Sequence, residues 1–169
     1  MSGAPRAIVV MGVSASGKTS LGRTLADALG CGFVEGDDLH PPVNVAKMKA
    51  GVALDDADRV PWLDAVARAL GAAEGWTVAS CSALKRAYRE RLLAAAPRAA
   101  FLLIDAPEAV LRHRIAERRG HFMPPSLLAS QLTTLEKPRA PERALILDAT
   151  RPMETNVDEA LAWLRSLPG

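Results

Sequence analysis

Gly12-Val13-Ser14-Ala15-Ser16-Gly17-Lys18-Thr19 follows directly on the apolar run Ala7-Ile8-Val9-Val10-Met11, and a helical pattern begins where it ends. The spacing is that of a phosphate-binding loop, G-x-x-x-x-G-K-[ST]. Its setting is the one such a loop needs, with a buried strand before it and a helix N-terminus after it. A triphosphate is densely anionic, so the loop must turn its backbone N–H groups inward and bring them close. Gly12 and Gly17 permit backbone angles and an approach that side chains would block. The helix starting near Lys18 adds its partial positive end, Lys18 a full charge, and Thr19 a hydroxyl able to hold Mg²⁺. The stretch from Gly12 to Thr19 is thus expected at the phosphates of a bound triphosphate. The alternative is a glycine turn between strand and helix that binds nothing.

Outward from this loop, apolar runs alternate with helical patterns along the whole chain, which argues for an α/β domain with a parallel sheet. Strands are expected at Ala7 to Met11, Gly32 to Glu35, Trp76 to Ser82, Ala99 to Ile104 and Ala144 to Leu147. The first helix, Lys18 to Leu29, places Leu21, Leu25 and Leu29 on one face and stops at Gly30. Further helices are expected over 43–50, to about Ala73, over 84–96 and over 107–118. Ser126 is expected to cap a helix carrying Leu128, Leu132 and Leu135, and Met153, Val157, Leu161 and Leu164 stripe the last one. Asp55, Asp56 or Asp58 caps the long helix, with Pro61 in its first turn. The fold class is a three-layer P-loop domain with a parallel five-stranded sheet, whose ligands should gather at the carboxyl ends of the strands.

Composition narrows the function classes. At 169 residues the chain reads as one domain with a substantial core. A net charge of +2 and dispersed basic residues speak against a nucleic-acid footprint. Cys31 and Cys81 are too few for a disulfide framework and read as buried thiols in a reducing cytosol. The apolar run before Gly12 is shorter than a signal-peptide core, and no stretch approaches the roughly 20 apolar residues of a membrane span. A soluble cytoplasmic protein is the expectation.

Polar clusters fall after several strands, as an enzyme of this architecture requires. Glu35 and Asp37 stand two apart on an extended segment, so their side chains can share a face. Phosphoryl transfer to an alcohol needs the hydroxyl held in line and a carboxylate to take its proton, while Mg²⁺ spreads phosphate charge. Asp37 is the candidate base, and Glu35 the group that reaches the hydrated magnesium. The competing reading makes Asp37 and Asp38 mere caps of the next helix. Lys85 and Arg89 form a cationic pair one turn apart, and Arg59 is another charge able to clamp an anion. By count alone each is also readable as a solvated surface residue. Arg114, Arg118 and Arg119 end a helix just before a breaker, where a lid would supply an arginine to the phosphates. His121 has no partner and reads as structural. Asp105 mimics a magnesium-holding carboxylate but is assigned as a cap of the helix after Pro107, because the third strand is the one expected beside the loop.

Several stretches, taken in order, resemble the gluconate kinases of the small P-loop type, related in fold to shikimate and nucleoside-monophosphate kinases. They are Met11 to Thr19, Gly36-Asp37-Asp38-Leu39-His40-Pro41, Asn44 with Lys47-Met48, and Leu54 to Leu63. Cys81 to Lys85, Tyr88-Arg89, Gly120-His121-Phe122 and Ser130-Gln131 through Thr134-Leu135-Glu136 complete the set. The resemblance implies one kinase domain over 1–169, with a substrate region at about 37–63 and a short lid at about 119–126. It implies ATP-dependent phosphorylation of D-gluconate to 6-phospho-D-gluconate, with Mg²⁺, by a homodimer. Lys18, Asp37 and Arg118 would be catalytic, Asp37 as the hydroxyl-positioning base and Arg118 as the lid arginine. Arg59, Lys85 and Arg89, with His40, would contact the carboxylate and polyol. Arg151 and Pro152 would lie in the loop against adenine. Ala15 departs from the glycine common there, and a small residue should preserve the loop. The rivals are a same-fold kinase of another hydroxy acid such as shikimate, and a non-catalytic nucleotide-binding regulatory module.

Overall fold

The apolar run before the phosphate loop becomes the central strand, β1 (Ala7–Met11), with every residue buried. The computed structural model describes residues 7–118 and 124–168. Around β1 lie β2 (Gly32–Glu35), β3 (Thr77–Ser80), β4 (Ala100–Asp105) and β5 (Ala144–Asp148), all parallel, in the order β2-β3-β1-β4-β5. The strand period of two divides the side chains of β1 between two cores. Ala7, Val9 and Met11 face one, and Ile8 and Val10 the other.

On the first face the core is completed by α3 (Asp56–Gly71), α4 (Arg86–Ala95), α5 (Glu108–Glu117) and α6 (Pro125–Thr134). On the second it is completed by α1 (Lys18–Leu29) and α7 (Met153–Ser166). Leu21 and Leu25 of α1 are fully buried, each removal from water contributing about 1.5–3 kcal/mol. The stripe Met153, Val157, Leu161 and Leu164 packs on the same core, as its spacing predicts. Gly30 ends α1 in the left-handed region, φ 65°, where it costs no side-chain clash.

The expected strands and helices all form, with shifted boundaries and some different caps. The third strand is shorter than 76–82. The short helix α2 (Pro42–Lys49) begins at a proline, which suits a first helical position. Asp55 is the cap of α3, in a reciprocal box with Asp58 at 2.7 and 3.0 Å. Pro61 therefore lies inside the helix rather than in its first turn, and removes the bond that would reach the Ala57 carbonyl. Asp105 does not cap α5. Pro107 holds that place without a side-chain bond, and Asp105 pairs with Lys137 at 2.8 Å. Ser126 does not cap α6 either, since Pro124 is the N-cap. Cys81 is buried but Cys31 is only half-buried.

Candidate active site

The phosphate loop is set by backbone geometry at its two ends. Gly12 has φ 144°, and a Cβ there would lie 2.8 Å from the Ile104 carbonyl oxygen, so only glycine lets β4 pass this close. Gly17, φ 102°, turns the chain into α1. Ala15 takes φ 66°, a left-handed angle that its single methyl tolerates. Arg114 of α5 braces the loop from outside. Its guanidinium donates to the Ser16 carbonyl at 3.1 Å and the Ala149 carbonyl at 2.9 Å, tying the loop to the turn after β5.

Lys18 donates to the Val13 carbonyl at 3.0 Å. Burial pushes its ammonium below the ordinary lysine pKa, while Asp37, Cys81 and Glu35 pull it back up and Arg118 lowers it further. Arg118 ends α5, exposed, close enough to Lys18 for its charge to be felt there. The rest of the expected lid core, 119–123 with His121, lies outside the described residues. Cys81, buried in the same neighbourhood, has its thiol pushed up to about 12, so it stays protonated.

At the end of β2, Glu35 accepts from Thr19 Oγ1 at 2.6 Å and from Ser80 Oγ at 2.5 Å. A threonine hydroxyl and one carboxylate are hard oxygen donors. Such a sparse set fits Mg²⁺, which keeps most of its shell as water and phosphate oxygens. Among the described residues no group of three or more His, Cys, Asp or Glu forms a denser metal centre.

Gly36–Leu39 form a single 3-10 turn, and Asp37 projects from it into a cleft of about 360 Å³ shared with Lys18, Ser14, His40 and Arg59. Neither this turn nor α2 has a side-chain cap, so Asp37 and Asp38 do not serve as helix caps. His40 stacks on Trp62, ring centroids 4.2 Å apart, and its Nδ1 lies 3.3 Å from Asn44 Nδ2. Asn44 Nδ2 can only donate, which makes Nδ1 an acceptor and leaves the proton on Nε2. Burial pushes the His40 pKa below its ordinary value, against the pull of Asp37, so the ring is neutral at pH 7. Arg59 is 8% exposed, donates to Tyr88 Oη at 3.0 Å and lies over that ring. Tyr88 in turn donates to Asp56. The wall beneath is fixed by Lys47 on Asp58 at 2.8 Å and by Asn44 on the Asp58 carbonyl at 2.8 Å.

Two expected contacts are not brought to this cleft. Arg89 is 1% exposed, paired with Glu142 at 2.6 Å and donating to the Ala83 carbonyl at 2.9 Å. It donates to the Leu84 carbonyl at 3.3 Å as well, so its described contacts are with protein, and it stands outside the cleft lining. Lys85 pairs with Asp56 at 3.0 Å outside the cleft lining. Arg151 pairs with Glu159 at 2.8 Å beside the turn after β5, and Pro152 caps α7.

Sequence reasoning gave no role to Trp62, to Tyr88 or to Gln131, whose side-chain oxygen accepts from the Ser14 N–H at 2.7 Å. Gln131 had a signal. It falls four residues after Leu127 and four before Leu135, a polar side chain on an otherwise apolar helical stripe.

A parallel sheet with a phosphate loop after its central strand, and a polar cleft opposite that loop, defines a P-loop phosphotransferase of the small kinase class. The family model described as an AAA domain matches residues 8–138. A gluconokinase of Gluconobacter oxydans (strain 621H) is 45% identical, over 93% of this chain and 90% of its own. The crystal structure of a gluconokinase from Sinorhizobium meliloti 1021 superposes with a TM-score of 0.88 at 50% identity, covering 95% of this chain and 92% of that one. The chain belongs to the gluconokinase family. A shikimate kinase from Aquifex aeolicus, TM-score 0.59 at 19% identity, shares the fold alone. No helix among the described residues is long and apolar enough to cross a membrane.

Proposed function

We propose that the protein transfers the γ-phosphoryl group of ATP to the terminal hydroxyl of D-gluconate, giving 6-phospho-D-gluconate and ADP. The observation that carries this reading is that Asp37, His40 and Arg59 line one cleft together with Ser14 and Lys18 of the phosphate loop. The loop from Gly12 to Thr19 holds the phosphates through its N–H groups and Lys18. Thr19, with Glu35 behind it, would hold Mg²⁺, which would supply charge neutralisation at the phosphate oxygens. Asp37 orients the acceptor hydroxyl and takes its proton as the oxygen–phosphorus bond forms and the bond to the β-phosphate oxygen breaks. Arg59, oriented by Tyr88, pairs with the gluconate carboxylate, since a guanidinium fork matches a carboxylate. The neutral His40 donates through Nε2 to a hydroxyl. Arg118 approaches the transferring oxygens, and Arg151 with Pro152 borders the adenine.

This assignment makes specificity a matter of hydrogen bonds to hydroxyls, which reject analogues lacking them by about 10⁴ or more. A coupled assay of ADP release across gluconate, shikimate, gluconolactone and nucleoside monophosphates tests the substrate, and turnover of shikimate without gluconate would overturn it. Asp37→Ala tests the base. Nucleotide binding should survive while turnover collapses, and equal losses in both would remove the role. The regulatory-module alternative is not favoured, because a switch needs only the nucleotide half of this site. A cytoplasmic homodimer is part of the same proposal, and sedimentation equilibrium checks the assembly.

A further inference from the structure

We propose that Gln131 is an acceptor-binding residue that the phosphate loop holds back until nucleotide arrives. Its amide oxygen accepts from the Ser14 N–H at 2.7 Å. That N–H belongs to a loop whose backbone donors serve phosphate oxygens, and one N–H makes one good bond. Ser14 and Lys18 are also the loop residues that line the acceptor cleft, with Ser130 and Gln131 of α6 completing it. The Ser14 amide therefore lies where donor and acceptor halves meet. A phosphate oxygen that takes this N–H displaces the Gln131 oxygen. The freed carboxamide, one acceptor and two donors, is then at the wall of a cleft built for hydroxyl groups.

The helix that carries Gln131 is anchored independently of this contact. Just beyond α6, Glu136 donates from its N–H to the Leu84 carbonyl at 2.8 Å and accepts from the Arg86 N–H at 3.3 Å. Leu127 and Leu128 are buried on the same element. Release of Gln131 thus asks only for a side-chain rotation, and nucleotide binding prepares the acceptor site without moving the helix. The acceptor half of this inference rests on the proposed gluconate kinase reading. The nucleotide half does not.

Two variants separate the outcomes. Gln131→Met keeps length and helix propensity but cannot hold the Ser14 N–H. Gln131→Glu keeps the acceptor and adds negative charge beside the phosphates. Calorimetric titration with the magnesium complex of a non-hydrolysable ATP analogue is expected to show binding tightened roughly two- to tenfold in Gln131→Met, the net effect of one hydrogen bond. The same titration should show weakened binding in Gln131→Glu. In steady-state assays Gln131→Met should raise the gluconate KM about tenfold with a smaller change in kcat. A merely structural glutamine would give weaker nucleotide binding in the Met variant and rescue in the Glu variant, and that pattern overturns the proposal. Unchanged nucleotide affinity in Gln131→Met, or an unchanged gluconate KM, overturns it as well. Absence of gluconate turnover in the wild type would instead remove the functional reading, and the titrations would still decide the Ser14 contact.

Discussion

Gly36 is where the two halves of the site are joined, and Gly36→Ala tests how tightly. A methyl at this position would lie 2.0 Å from the Ser80 carbonyl oxygen and 3.3 Å from Cys81 Cα. Both are backbone, so neither can swing aside as a flexible side chain would. Relief requires the end of β2 to move away from β3 by about 1 Å, and overpacking of this kind costs about 1–3 kcal/mol. The displacement also stretches two buried hydrogen bonds, Gly36 N–H to Ser80 Oγ at 3.2 Å and Trp62 Nε1–H to the Gly36 carbonyl at 2.8 Å. Each one left unmade costs about 1–3 kcal/mol more. A total of about 3–9 kcal/mol is a large share of the roughly 5–15 kcal/mol that holds a domain folded. For a chain of this length that is a fall in Tm of roughly 6–36 °C. Thermal unfolding followed by circular dichroism measures it, with Gly32→Ala of the same strand as control, because nothing lies within 4 Å of a Cβ there. Turnover should fall as well, since Asp37 is the next residue. A Gly36→Ala protein melting within about 2 °C of wild type would refute the claim that β3 needs this close approach.

Three further outcomes follow from the geometry. Tyr88→Phe removes the hydroxyl that holds Arg59 at 3.0 Å, and should raise the gluconate KM about fivefold to tenfold while leaving ATP affinity within twofold, measured by initial rates. Ala15→Gly relieves a left-handed alanine but loosens the unfolded chain, so stability should change by less than about 1 kcal/mol, whereas the β-branched Ala15→Val should lower nucleotide affinity at least about tenfold by titration. For Glu142, burial raises the carboxyl pKa but hydrogen bonds from Arg89 and the Arg139 N–H outweigh it, leaving the folded value below 4.5. A depressed folded pKa stabilises above the unfolded value and ceases to as pH falls through the folded one, so the urea-midpoint gap between wild type and Glu142→Gln should be full at pH 7 and shrink below about pH 4.5.

The phosphate loop, the strand alternation and the helical stripes were legible because each depends on neighbours in sequence. Leu21 and Leu25 had to share a face whatever else the chain did. What could not be read was which cation meets which anion across the fold. Arg89 and Arg59 looked alike as isolated charges. One is enclosed by Glu142, 53 residues away, and the other is turned toward the cleft by Tyr88, 29 residues away. Asp105 and Ser126 read locally as caps because each is a short polar side chain where a helical pattern begins. The prolines themselves took those positions, and Asp105 found Lys137 instead. Arg114 shows the same limit, since nothing local separates it from Arg112, which pairs with Glu108 on its own helix.

The distribution of these long-range contacts bears on how the enzyme keeps donor and acceptor in register. Arg114 ties the phosphate loop to the turn after β5 by carbonyl contacts that do not depend on ligand. The acceptor wall is held differently. Lys47 and Asn44 fasten α2 to Asp58, and Trp62 fastens α3 to Gly36. The described bridge between the two bodies runs through the end of β2, where Glu35 bonds Thr19 on one side and Ser80 on the other, with Asp37 two residues beyond. A carboxylate placed on that bridge stays aligned with the phosphates when the acceptor wall changes its side chains.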